Sequence, residues 1–342
     1  MYPPGPKEHF LLGNLPEFGR DLLGFLSDCA RRYGDVVRLR LAGSTAYLLN
    51  HPDLIEDVLV TRNRNFIKHP FFWRHVRAVF GEGLLTSEGD FWLRQRRLVA
   101  PAFHRERIAA YGKVMVDYTE RLLDQWREGE VRDAHQEMMG VTMRIVAKTL
   151  FDAEVGQAVA EVGAAFDTVI QEIATRFRRP FRIPGWVPTP GNLRYRQGVR
   201  KLNQLIFAII EERRGSGRDA GDLLSMLLAV EDEDGSRMTE RQIRDEAVTL
   251  FLAGHETTAL SLSWTFYLLA QRPEAEAELV KELGETLDGR APTVADLPKL
   301  PFTEMVVMES MRLYPPAYVV GREALADCEM GGYRVPRGTT LS

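Results

Sequence analysis

The 342-residue chain is 45% hydrophobic and 27% charged, which supports a large buried core and excludes general disorder. Lys+Arg 44 against Asp+Glu 48 leaves a net charge of −4, without the basic excess that neutralises a phosphate backbone, so no nucleic acid is expected as a partner. Only two cysteines occur, Cys29 and Cys328, far apart and in no metal-ligand spacing, which fits a reducing, cytoplasmic setting rather than a disulfide framework or zinc site.

Pro3-Pro4-Gly5-Pro6 forms a stiff extended leader, with no basic region and hydrophobic run of the secretory type. Leu22, Leu23, Leu26 and Ala30 predict a helix over Arg20–Tyr33, ended by Gly34. Val37, Leu39 and Leu41 alternate with Arg38 and Arg40, and Ala46-Tyr47-Leu48-Leu49 follows, the pattern of an antiparallel hairpin. From Asp53 to Leu313 the helical period dominates. Breaks fall near Pro70, over Pro180–Pro190 and Gly215–Gly221, in the acidic loop Glu231–Gly235, and at Pro273. The aromatic residues within Pro180–Pro188 predict a packed crossover rather than a linker. Gly332–Leu341 reads as a strand and turn entering a further strand at Ser342, and a continuing C-terminal portion is expected. The fold class is mainly α with a small β-sheet, in a single domain over residues 1–342.

A long helix is predicted from Thr239, whose hydroxyl caps it while Gln242 reaches back, to Pro273. At ~1.5 Å per residue it spans roughly 50 Å. Ile243, Ala247, Val248, Phe251, Leu252, Leu262, Phe266 and Leu269 make it apolar nearly all round. Its middle, Ala253-Gly254-His255-Glu256-Thr257-Thr258, instead sets a glycine beside an acid and two hydroxyls, which also argues against a membrane anchor over Val248–Ala270. Two readings stay open. In one, Thr257 bonds back to the Ala253 carbonyl and bends the helix; in the other, a small ligand meets a hydroxyl and a proton source in a groove.

Two further pairs stand out. Glu309 and Arg312, at i,i+3 spacing in a helix begun by Pro301 and stopped by Pro315-Pro316, meet on one face, and their apolar flanks predict partial burial. Trp92 and Arg96 lie one turn apart in a helix capped by Ser87, two donors suited to a carboxylate.

Taken in order, these features resemble the cytochrome P450 family of heme-thiolate monooxygenases over the whole chain, in the style of soluble bacterial members. The resemblance implies that Ala253 and Gly254 form an oxygen-binding groove, with Glu256 and Thr257 in the acid and alcohol places. It implies that Trp92, Arg96 and Arg322 bind heme propionates and that Glu309–Arg312 is a structural ion pair. It further implies a non-covalent heme b, since Ala253 stands where some ω-hydroxylases carry the esterifying glutamate. An apolar substrate of fatty-acid, alkane or terpenoid type, dioxygen and a ferredoxin- or flavodoxin-type electron donor complete the expectation. The family's cysteine loop matches no segment here and is expected beyond Ser342. Cys328, with acidic neighbours, and Cys29, on a helix, do not read as ligands, so no metal ligand is assigned. The alternative is a catalytically dead remnant or a heme- or lipid-binding pseudoenzyme. Phe71-Phe72-Trp73 and Phe177–Trp186 are expected to line the substrate pocket. Arg94, Arg97, Arg105 and Arg107 form a candidate docking face for an acidic donor.

Overall fold

The computed structural model describes residues 1–41, 44–68, 76–152, 157–178, 184–217, 219–232 and 234–342. The Phe71-Phe72-Trp73 segment and residues 179–183 of the second expected pocket loop lie outside them. The elements in chain order are α1 (Leu15–Arg20), α2 (Leu22–Tyr33), β1 (Val36–Leu41), β2 (Ser44–Leu49), α3 (Pro52–Glu56), β3 (Phe66–Lys68), α4 (Gly89–Val99), α5 (Arg105–Leu123) and α6 (Ala134–Phe151). They continue with α7 (Gln157–Arg178), α8 (Pro190–Ser216), α9 (Leu223–Ala229), α10 (Glu240–Leu269), α11 (Pro273–Leu287), α12 (Pro301–Leu313), β4 (Arg322–Ala324), β5 (Cys328–Met330), β6 (Tyr333–Val335) and β7 (Thr340–Leu341). The protein is mainly helical with a small mixed sheet, as its periodicity predicts. It forms two compact units, one of Met1–Val79, Asp167–Val199 and Val319–Ser342, the other of Phe80–Phe166 and Arg200–Tyr318.

The first unit is built on a sheet of order β1-β2-β7-β4-β3. The predicted hairpin is present, Val36 opposite Leu49 and Leu41 opposite Ser44. β7 adds parallel to β2, Ala46 opposite Thr340, and pairs antiparallel with β4. Because side chains alternate across a strand, Tyr47 and Leu49 join Val36, Val58, Phe66 and Leu341 on one face, while Ala46 and Leu48 join Cys29, Val37 and Leu39 beneath α2 on the other. Gly34 ends α2 as expected, its φ of +87 reaching a conformation that side chains disfavour.

Of the aromatic residues that suggested a packed crossover, Phe181 lies outside the described residues and Trp186 is not enclosed. Trp186 is 77% exposed, and the Pro184–Pro188 turn is held by the Asn192 amide donating to the Pro184 and Val187 carbonyls, at 3.0 and 2.9 Å. Polar bonds therefore supply what aromatic burial was expected to supply.

In the second unit α10 packs along α6. Gly254 meets Val146, Phe251 lies against Phe151, and Ala259 sits in a cluster with Tyr118, Leu122, Met138 and Val141. A Cβ at Gly254 would stand 3.2 Å from the Val146 methyl, so the glycine sets the close approach of these helices. α12 begins at Pro301 as expected, but its N-terminal donors are satisfied by Glu282, which accepts from the Phe302 and Thr303 amides at 2.6 and 2.9 Å.

Candidate functional site

The capping box at the start of α10 is formed as predicted: Gln242 N–H donates to Thr239 Oγ1, and Thr239 N–H donates to the Gln242 side chain at 2.7 Å. Over its first turns the helix is enclosed, with Ile243, Ala247, Val248 and Phe251 at most 2% exposed. The character changes at Ala253. Ala253, Thr257 and Thr258 are exposed and Glu256 is half-buried, whereas His255, on the opposite side from Ala253 and Thr257, is 3% exposed. His255 Nε2–H donates to the Met139 carbonyl of α6 at 3.1 Å, which fixes the rotation of α10 and so directs Ala253 and Thr257 away from α6. The Thr257 hydroxyl donates back to the Ala253 carbonyl. This is the first of the two readings open at the sequence level, and it leaves the oxygen's lone pairs able to accept from an incoming group.

Trp92 and Arg96 meet on α4, the guanidinium 5.2 Å from the centre of the indole ring. Among the described residues Arg96 makes no ion pair, and it is exposed. The α4 cap differs from expectation. The N-cap residue is Glu88, whose side chain makes no capping bond to the helix, and Ser87 Oγ donates instead to the Gly83 carbonyl at 2.9 Å. Arg322, in β4 of the other unit, is half-buried and donates to the Gly321 carbonyl at 3.0 Å.

Both cysteines are unpaired thiols. Burial pushes both thiols up from their ordinary range, Cys29 further by Asp28 and Cys328 further by Asp57 and Asp327. Neither is set up as a thiolate, and among the described residues no three His, Cys, Asp or Glu side chains cluster to hold a metal. Arg96 and Trp92 together offer a cation and an N–H donor to a carboxylate, and the side of α10 that bears Ala253 and Thr257 is open.

Glu309 and Arg312 form a two-bonded pair, each bond 2.6 Å, but their side chains are 54% and 66% exposed. The expectation of partial burial is therefore corrected. Only Ser310 of α12 is buried; Val307, Met308, Met311 and Leu313 are exposed with the pair, and Val306 is half-buried. Arg312 holds the Glu309 carboxyl below the usual glutamate range. A depressed carboxyl contributes stability above its unfolded value, near 4.3, and loses it as pH falls through the lower folded value. Glu309→Gln should therefore lower the melting temperature slightly at pH 7, and that difference should close in an acid series below about pH 4; a large, pH-independent loss would place the pair in a buried role.

The basic cluster proves largely engaged within the protein. Arg94 donates to Asp232 and Ser236 at 2.7 and 2.8 Å, Arg97 lies 3.2 Å from the same carboxylate, and Arg107 donates to the Gly221 carbonyl. Asp232 offsets the charge on which a docking face would depend, and helical spacing could not reveal a partner 138 residues away.

A second group escaped the sequence reading altogether. Arg244, Asp245 and Glu246 on α10 are 4%, 4% and 0% exposed, and both acids bind the chain just before α4. The signal was available: three consecutive charges sweep some 200° of helix circumference, and on a helix apolar all round some of them must be enclosed.

The cytochrome P450 family profile matches residues 3–342, and the chain belongs to that family. It is 37% identical over 332 residues to pentalenene oxygenase of Streptomyces avermitilis, covering 97% of this chain and 73% of that protein. It is 39% identical to cyclooctat-9-en-7-ol 5-monooxygenase of Streptomyces melanosporofaciens, with 97% and 72% covered, and 37% identical to cyclooctatin synthase of the same organism, with 95% and 71% covered. By this resemblance it is an oxidoreductase of the monooxygenase type, of a family that uses heme and acts on apolar organic compounds. Among the described residues no helix is long and apolar enough to cross a membrane.

Proposed function

We propose that residues 1–342 belong to a single cytochrome P450 domain that, together with the cysteine-ligand segment expected beyond Ser342, holds heme b non-covalently and directs oxygen insertion into a cyclic terpenoid-type alkene or alcohol. The observation that carries this reading is the open Ala253–Thr257 side of α10, a polar notch on a helix enclosed in the turns before it. The substrate class is supported by the three Streptomyces relatives, two of whose names specify an alkene or an alcohol.

Bound heme would supply activation of dioxygen, which no side chain here can perform. Trp92 and Arg96 would hold a propionate on α4, the indole N–H and the guanidinium both acting as donors. The Thr257 hydroxyl, whose proton goes to the Ala253 carbonyl, would accept a hydrogen bond from a group on the open side, and half-buried Glu256 beside it would relay protons from solvent. Ala253, with only a methyl beside that hydroxyl, would leave space for a diatomic ligand, whereas Gly254 packs toward Val146 of α6. The electrons come from a ferredoxin- or flavodoxin-type donor, for which the Arg94–Arg97 face is not assigned. A cytoplasmic setting fits the unpaired cysteines.

Hemin titrated into the chain and followed by tryptophan quenching tests the cofactor reading. Arg96→Ala should weaken binding roughly tenfold or more, the worth of one charge-assisted hydrogen bond, and Trp92→Phe by less. Hemin affinity indifferent to both substitutions would sink it.

A further inference from the structure

The turn that launches α4 is pressed onto α10 by two buried acids. Glu82 N–H donates to Asp245 Oδ2 at 2.9 Å and Leu84 N–H donates to Glu246 Oε2 at 3.1 Å. Asp245 takes a second bond, at 2.8 Å, from Arg244 Nη1, so its charge is enclosed with a partner. The turn is also closed on itself. The Thr86 hydroxyl donates to the Gly81 carbonyl at 2.8 Å and that of Ser87 to the Gly83 carbonyl at 2.9 Å, two residues before α4 begins at Gly89.

The approach leaves no room for side chains. Gly81 has a φ of +59, and a Cβ there would fall inside the Asp245 carboxylate; one at Gly83 would collide with the Thr249 hydroxyl. Thr249, 2% exposed, has no hydrogen-bond partner for that hydroxyl among the described residues, so it acts here as a packing surface. Two amides of an alternating pair, 82 and 84, thus point at consecutive carboxylates of one helix. Removing either acid would leave a buried N–H without its acceptor, a larger loss than the bond's net worth.

We infer that Asp245 and Glu246 are positioning residues for α4: by binding the Glu82 and Leu84 amides they fix the turn from which the helix bearing Trp92 and Arg96 departs. The link to heme rests on the function proposed above; the positioning itself does not. The acids touch no reacting group. They set where the two donors stand, which local sequence around Trp92 leaves undetermined.

Hydrogen exchange on the full chain without heme, resolved at single amides, tests the positioning directly. Asp245→Ala should speed exchange at Glu82, and Glu246→Ala at Leu84, by roughly tenfold to a hundredfold, with the increase running into Glu88–Trp92. Glu246→Gln keeps an acceptor oxygen and should restore protection at Leu84. Gly81→Ala should loosen the same amides with both acids intact. Uniform acceleration across α6 and α10, or failure of glutamine to restore Leu84, would show that the acids support the fold in general and would overturn the inference. Parallel hemin titrations separate the two claims. If Arg96→Ala weakens hemin but Glu246→Ala, with its turn loosened, does not, the claim that this turn sets where Trp92 and Arg96 stand for heme is refuted. If neither Arg96→Ala nor Trp92→Phe affects hemin, the propionate reading fails while the exchange pattern still decides the positioning.

Discussion

Phe251→Ala is expected to lower the melting temperature by on the order of 10 °C, the consequence of losing ~3–5 kcal/mol of packing. Phe251 is 1% exposed and lies at the meeting of three elements. It stacks on Phe166 with ring centres 4.9 Å apart and planes 8° from parallel, and Phe151 lies 6.1 Å away. Truncation would leave a cavity among aromatic rings that cannot collapse, because α6 and α10 are held at fixed separation by the Gly254–Val146 contact. Phe266, on the same helix but 45% exposed, serves as the control, and Phe266→Ala should change the midpoint little. A parental melting curve for Phe251→Ala would show that this helix is not held by its aromatic core.

The second large effect is self-association. α12 and the turn after it expose Met305 at 56%, Met308 at 59%, Met311 at 43%, Leu313 at 45%, Tyr314 at 38% and Tyr318 at 53%. A run of this kind exceeds the scattered exposed apolar residues normal on a monomer, and water is excluded most favourably by a second such face. Residues 1–342 should therefore associate with rising concentration in sedimentation experiments. Met305→Glu with Met308→Lys should shift the population toward monomer without changing the melting temperature, since neither side chain is enclosed. A parent chain that sediments as a monomer through tens of micromolar (~10–100 μM), well above the usual threshold for patch-driven association, would contradict the expectation.

The exposure of α12 also shows where sequence reasoning stops. Apolar flanks around Glu309 and Arg312 suggest burial, yet burial depends on what covers a helix, and periodicity reports only which residues share a face. The same limit explains Arg94, whose partner Asp232 is distant in the chain, and Ser87, whose hydroxyl turns to the Gly83 carbonyl rather than capping α4. It explains Asp245 and Glu246 as well. Their amide partners lie more than 160 residues away, and no local rule points there.

What the sequence determined by itself was local in its physics. The Thr239–Gln242 capping box, the Gly34 helix stop, the Pro301 start of α12 and the β1–β2 hairpin each depend on groups within a few residues of one another, and each is formed as read. The ordered motifs from Trp92 to Arg312 also carried the family. Only the tertiary structure decided which side of α10 stays open. His255 binding the Met139 carbonyl and Gly254 meeting Val146 set the rotation of that helix, and rotation follows from which surfaces are buried together, a property of two elements that neither segment encodes alone.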